Sequence, residues 1–147
     1  RPALVHNDYR FDNVILDPQD PMRIIGVLDW ELTTIGDPLM DLGNTLAYWV
    51  EASDPAPVQL LRRQPSNAPG MLTRAEFVAY YAERAGIRID TFDYYYCYGL
   101  FRLAGIAQQI YYRYYHGQTR DQRFAPFVKM NGLLEQVALQ VIRSSTL

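Results

Sequence analysis

The 147 residues amount to one domain, and with 49% of them apolar and 14% aromatic they can bury a core, which excludes a disordered chain. Fourteen basic residues against sixteen acidic ones leave a net charge of −2 and no broad footprint for nucleic acid; one cysteine, Cys97, and two histidines, His6 and His116, exclude an intrachain disulfide, a multi-cysteine zinc site and a histidine cage. No stretch without a charged residue exceeds ten and no basic-then-apolar leader opens the chain, so neither a membrane span nor a secretory signal is expected, and the default is a soluble cytoplasmic protein.

Three short segments rich in Val, Ile and Leu come first: Ala3–Val5, Asn13–Leu16 and Arg23–Leu28. Asp17-Pro18 and Asp20-Pro21 punctuate them, so Asn13–Leu16 and Ile24–Leu28 read as a strand pair. After Gly36 the period turns helical. Asp37 is suited to an N-cap and Pro38 to the first helical position, and Leu39, Leu42, Leu46 and Trp49 follow at helical spacing. Asp54–Gly70 carries four prolines and reads as a loop, a mobile one. Thr73-Arg74-Ala75-Glu76 is a capping box for a helix to about Ala85, closed by Gly86. A long helix is expected from Thr91 to Tyr115, burying Phe92, Tyr96, Gly99, Leu103, Ile106 and Ile110, and a last one over Gln122–Ser144, burying Phe127, Met130, Leu134, Val137 and Val141. A β element followed by four helices argues α+β.

The chemistry is concentrated in His6-Asn7-Asp8-Tyr9-Arg10-Phe11-Asp12-Asn13 and in Leu28-Asp29-Trp30-Glu31. Adjacent strand ends supply two carboxylates and a carboxamide. Oxygen ligands of this kind suit Mg²⁺, which takes one or two carboxylates and completes its sphere with phosphate and water. A further carboxylate serves as a base toward a hydroxyl, and base, metal oxygens and an adjacent arginine are the parts of phosphoryl transfer.

His-x-Asp-x-x-x-x-Asn, followed sixteen residues after Asn13 by Asp29 at a strand end, resembles the kinase catalytic loop and its metal-binding aspartate. Asp29-Trp30-Glu31 stands where protein kinases carry Asp-Phe-Gly, and Gly36-Asp37-Pro38-x-x-Asp41-Leu42 follows with no room for an activation segment. The pattern is similar to the aminoglycoside phosphotransferase and choline kinase family. Within it, His-x-Asp-Tyr-Arg-x-Asp-Asn with Leu-Asp-Trp-Glu resembles the kinase-like domains fused to acyl-CoA dehydrogenases. The motifs span residues 4–50.

The resemblance implies the mostly helical C-terminal lobe of a kinase-like fold, with the catalytic loop and metal-binding hairpin in residues 1–36 and a helical subdomain in 37–147. It implies ATP as co-substrate with Mg²⁺ and a small molecule offering a hydroxyl. By the same resemblance Asp8 is the catalytic base, and Asn13 and Asp29 hold the Mg²⁺-nucleotide. His6 braces the loop and Asp41 caps its backbone. Arg10 either sits by the transferred phosphate or balances Asp8 and Asp12. Asp12 and Glu31 read as solvated or hydrogen-bonding residues. Cys97 reads as a small buried residue, His116 as a helix C-terminal one. The tyrosines of the long helix read as packing residues with wet hydroxyls.

In the family a glycine-rich loop and a strand lysine hold the phosphates. No two of the nine glycines stand two apart, the one lysine is Lys129, and five residues precede His6. The expectation is therefore a lobe without its N-terminal, nucleotide-clamping partner, inactive alone and prone to associate with itself or that partner. The alternative is a non-catalytic binding or scaffold module. Thr91–Gly117 has one acid, Asp93, against Arg102 and Arg113, which favours a neutral or anionic substrate over a polycation.

Overall fold

The computed structural model describes residues 2–146, and strands give way to helices at Asp37-Pro38, where the capping signal lies. Ahead of that point β1 (Ala3–Val5), β2 (Val14–Leu16), β3 (Ile24–Val27) and β4 (Thr34–Gly36) form two antiparallel pairs, β1 with β4 and β2 with β3. The expected pair is present, with Asn13 and Leu28 just outside it; the Leu28 amide still donates to the Asn13 carbonyl at 2.8 Å. Side chains make the turn between them. Asp17 accepts from the Gln19 amide at 2.9 Å and Asp20 from the Met22 amide at 3.1 Å, the local bonding that suits Asp to turns. Strand β4 was not expected. It sets Gly36 opposite Ala3 and Thr34 opposite Val5.

The helices are α1 (Pro38–Ala47), α2 (Ala56–Gln59), α3 (Arg74–Ala85), α4 (Asp93–Tyr115) and α5 (Phe127–Ser144). The capping box forms as expected, with both Thr73–Glu76 bonds present, and Gly86 closes α3 at φ 64°. Two expectations change. The segment Asp54–Gly70 contains α2 and is tied to its surroundings: the buried Ser66 hydroxyl accepts from the Val50 amide and donates to the Val50 carbonyl. The last helix begins at Phe127, with Gln122–Phe124 forming a separate 3₁₀ turn, because Pro126 lacks an N–H and is tolerated only at a helix start.

Helix α1 lies at the centre. Leu42, Leu46 and Trp49 form one buried cluster against Phe77, Tyr81 and Phe92, while Ala47 and Val50 join Leu100, Leu103, Ala107, Met130 and Leu134 in the other. On α4 the buried set is Gly99, Leu100, Leu103 and Ala107, so the stripe is rotated from expectation: Phe92, Tyr96, Ile106 and Ile110 are half-buried. On α5 only Met130 and Leu134 are buried, while Phe127, Val137 and Val141 are half-buried. Gly99 is common to both stripes and sets how closely α4 approaches α1. A Cβ there would overlap the Gly43 carbonyl oxygen, and one on Gly43 would overlap the Tyr95 carbonyl oxygen. The helices touch backbone to backbone at this crossing. Cys97 is half-buried rather than fully buried. No helix among the described residues is long and apolar enough to cross a membrane.

Arg74, the first residue of α3, binds three elements together. Its guanidinium donates to both Asp54 carboxylate oxygens at 2.7 and 2.8 Å and to the Trp49 carbonyl at 2.8 Å, and it lies 5.5 Å from the centre of the Tyr96 ring. Burial pushes the Asp54 carboxyl upward, but the Arg74 hydrogen bonds and the Glu51 amide outweigh it and hold the carboxyl below its usual range. Burial raises the Tyr96 hydroxyl to about 12, so it stays neutral and its ring remains a cation platform.

Two outcomes follow for stability. Gly43→Ala should cost about 2 kcal/mol or more, since backbone cannot move aside as a side chain can; a lowered urea midpoint at unchanged slope would show it. Because Asp54 titrates lower when folded than unfolded, its contribution is complete above about pH 4 to 5 and fades as pH falls through the folded value. Asp54→Asn should thus cost about 2 to 4 kcal/mol at pH 7 and much less near pH 2, as read from denaturation midpoints across pH.

Candidate active site

Strand β1 delivers the chain into a loop held by bonds from outside it, and within it Asn7 takes the left-handed conformation at φ 68°. Helix α1 supplies those bonds from one face. Asp41 Oδ2 accepts from the His6 amide at 2.7 Å and Oδ1 from the Asn7 amide at 2.8 Å. One turn on, Asn44 donates to the Asn7 side-chain oxygen at 3.2 Å, and Thr45 donates to the Tyr9 carbonyl at 2.8 Å. Residues 41, 44 and 45 stand three and four apart and so share a helix face. Asn7 completes the brace by donating to the Leu32 carbonyl at 2.9 Å.

His6 is buried and fixed in one tautomer. The Asp8 amide donates to Nδ1 at 3.2 Å, so Nε2 carries the proton and donates to the Leu28 carbonyl at 2.7 Å. The Trp30 ring packs 4.8 Å from the imidazole, centre to centre. Asn13, also buried, donates both carboxamide hydrogens to Asp8, to its carbonyl at 2.7 Å and to Oδ2 at 2.9 Å. Arg10 Nε lies 3.6 Å from the same Oδ2 and Nη2 lies 3.5 Å from Asp12, with the guanidinium 5.0 Å from the Tyr48 ring centre. Burial, aided by Asp8 and opposed by Arg10 and Arg102, raises the Tyr48 hydroxyl; burial and then Asp41 raise that of Tyr9. Both therefore stay neutral at physiological pH.

These bonds bring Asp8, Arg10 and Asn13 into one group, with Oδ1 of Asp8 and Oδ1 of Asn13 left without a hydrogen bond among the described residues. Asp29 joins by backbone alone. The residue before it bonds to Asn13 through its amide and to His6 through its carbonyl, and Asp29 itself turns left-handed at φ 65°. Its carboxylate is exposed and forms no hydrogen bond among the described residues. Glu31 is exposed too. No three residues of His, Cys, Asp and Glu cluster as a metal cage among the described residues.

The sequence reading missed Asn7, Asn44, Thr45 and Gln64. Gln64, buried on the segment after α2, accepts from the Phe11 amide at 3.4 Å and joins Phe11, Trp49 and Phe77 in lining a cavity of about 220 Å³ beside Arg10. Asn44 and Thr45 did carry a signal, as polar residues in an otherwise apolar stretch of α1.

This is a kinase-like loop and hairpin mounted on a helical lobe. The chain belongs to the phosphotransferase enzyme family, whose model matches residues 1–77. A crystal structure from Ralstonia eutropha bearing the name of an aminoglycoside phosphotransferase superposes with a TM-score of 0.80 at 27% identity, covering 99% of this chain and 44% of that one. Mouse acyl-CoA dehydrogenase family member 10 is 38% identical over 121 residues, 81% of this chain and 11% of its own length. Human acyl-CoA dehydrogenase family member 11 is 33% identical over 141 residues, 94% of this chain and 18% of its own length. The chain thus spans less than a fifth of these curated relatives.

Replacing Asp41 tests the brace. Asp41→Asn leaves one acceptor for two amides and turns a donor toward the second. The expected cost is about 1 to 3 kcal/mol, with amide hydrogen exchange accelerating at His6 and Asn7 before the α4 core exchanges. Unchanged protection at those two amides would show that the loop is held by something else.

Proposed function

We propose that this chain is the catalytic lobe of an ATP-dependent phosphotransferase that acts on a hydroxyl of a small molecule. The observation that carries the reading is the division of labour on Asp8. One carboxylate oxygen is held by Asn13 and faces Arg10, and the other is left to accept a proton. A substrate hydroxyl hydrogen-bonded to Oδ1 would pass its proton there as its oxygen attacks the γ-phosphorus, and the bond to the β-phosphate oxygen would break. The fixed carboxylate orients the nucleophile without reorganisation at the moment of reaction. Arg10 would steady charge on the transferred group from beside the base.

The donor set fits Mg²⁺. Asn13 offers a free carboxamide oxygen and Asp29 a free carboxylate, hard oxygen ligands too few to hold the ion without phosphate. Bound there, the ion would neutralise phosphate charge. The described residues contain no Gly-x-Gly, and Lys129 lies on α5, so the phosphate-covering loop and its lysine would come from a separate N-terminal lobe. That same feature supports a second reading for the chain by itself, a binding or scaffold module that folds without turnover. Leu4, Ile25 and Ile35 are more than half exposed on the strand side, an apolar surface suited to such a lobe or to a second copy. One acid against two arginines over Thr91–Gly117 supports a neutral or anionic acceptor.

The test is ADP release from Mg²⁺-ATP with a panel of hydroxylated small molecules, using enzyme that carries both lobes. Asp8→Asn should lower kcat by about a hundredfold or more while nucleotide still binds. Asp29→Asn should weaken Mg²⁺-nucleotide binding more than Asn13→Ala does, because an amide supplies no charge. An Asp8→Asn enzyme keeping more than about a tenth of wild-type kcat, a barrier change under ~1.4 kcal/mol, would remove Asp8 from the base role.

A further inference from the structure

A second cavity has none of the chemistry of the first. It lies between the segment following α2 and the start of α5, and its volume is about 690 Å³. Leu61, Phe127, Met130 and Leu133 supply an apolar floor, and Arg63, Arg123 and Lys129 stand in its wall. No acidic residue lines it, although the chain as a whole carries a net charge of −2.

The three cations differ in what they already hold. Arg123 is bonded to Asp121, with contacts down to 2.6 Å, so its charge is largely answered. Arg63 lies over the Phe127 ring at 5.8 Å and forms no ion pair among the described residues. Lys129 has neither an ion pair nor a hydrogen bond from its side chain among the described residues. Two unanswered positive charges therefore border one apolar surface. Both side chains are exposed, so screened charge alone holds an anion weakly and an apolar body on the floor has to add to it.

We infer that this groove binds a small amphiphilic anion, with a phosphate or carboxylate head between Arg63 and Lys129 and a hydrocarbon body on the Phe127–Met130 floor. Size favours a small ligand over a protein. The volume falls within the range of about 300 to 1,000 Å³ typical of small-molecule sites. The ten lining residues are fewer than the 20 to 30 per side that a stable protein interface uses, at about 800 Å² per partner. None of its residues belongs to the loop or the hairpin.

The experiment is calorimetric titration of the 147-residue chain with monomeric decyl phosphate, with 1-decanol, inorganic phosphate and phosphatidylglycerol vesicles as separate arms. Decyl phosphate should bind at one per chain, about tenfold or more tighter than either decanol or inorganic phosphate, because head and tail each have a surface to meet. Arg63→Met with Lys129→Met keeps the apolar stems and removes both charges; it should weaken decyl phosphate about tenfold or more and leave decanol unchanged. Leu60→Glu places an acid on the 72% exposed rim residue, where folding is not at stake, and should weaken decyl phosphate too. Equal affinity for decanol, an unaltered double variant, tight binding of inorganic phosphate alone, or binding only to vesicles would each overturn the assignment.

Discussion

Two charge-assisted hydrogen bonds hold the candidate site: the Asp41 carboxylate takes the amides of His6 and Asn7, one on each oxygen. Successive amides converge on one carboxylate only where the chain between them turns, and here the turn is the left-handed Asn7. A non-glycine residue in that conformation costs roughly 1 kcal/mol or more and persists only when its surroundings over-determine it. Asp41, Asn44 and Leu32 do so, bonding the backbone and side chain of Asn7. The strained residue sits directly before Asp8, so its fixed geometry becomes the fixed position of the carboxylate.

Helix α1 can do this because it has two kinds of face. Asp41, Asn44 and Thr45 meet the loop, while Gly43 admits α4 to backbone contact. The two demands are coupled. An α4 held further away would leave Leu42 and Leu46 less covered and let α1 shift, and a shift of α1 moves Asp41. Packing at Gly99 is thus part of how the loop is positioned, though Gly99 touches no functional side chain. Asp37 adds to the same anchoring, capping α1 at the Leu39 amide and accepting from the Tyr95 hydroxyl on α4.

Much of this was legible in the chain because much of it is local. Each strand of the pair, the Asp37-Pro38 start, the capping box and Gly86 are written within four or five residues, and each formed. What escaped depends on partners far along the chain. Three residues, Thr34 to Gly36, show no periodicity, and β4 exists only because β1 is there to pair with it. Ser66 pins its segment through Val50, sixteen positions away, which composition rich in proline disguised as a free loop. Asp8, Asn13, Asp29, His6 and Asp41 could be picked out because their spacing forms a pattern. Gln64 could not, since its bond to Phe11 spans 53 positions and nothing in its neighbourhood marks it.

The hardest relation to read was the one between the two halves of the site, because it runs through a backbone. Among the described residues Asp8 and Asp29 share no side-chain partner. Leu28 joins them: its amide donates to Asn13, which grips Asp8, and its carbonyl accepts from His6, which also takes the Asp8 amide. Both edges of a single residue's main chain are committed to the opposite loop, closing a ring of hydrogen bonds around the start of the Asp29 turn. The Leu28 side chain takes no part and is about half exposed. Chemistry is therefore specified at positions 6, 8 and 13 by side-chain type, and at position 28 only by the presence of a peptide in the right place. A ring of this kind resists distortion at any one bond, because moving Asp29 relative to Asp8 requires breaking the His6 and Asn13 links together.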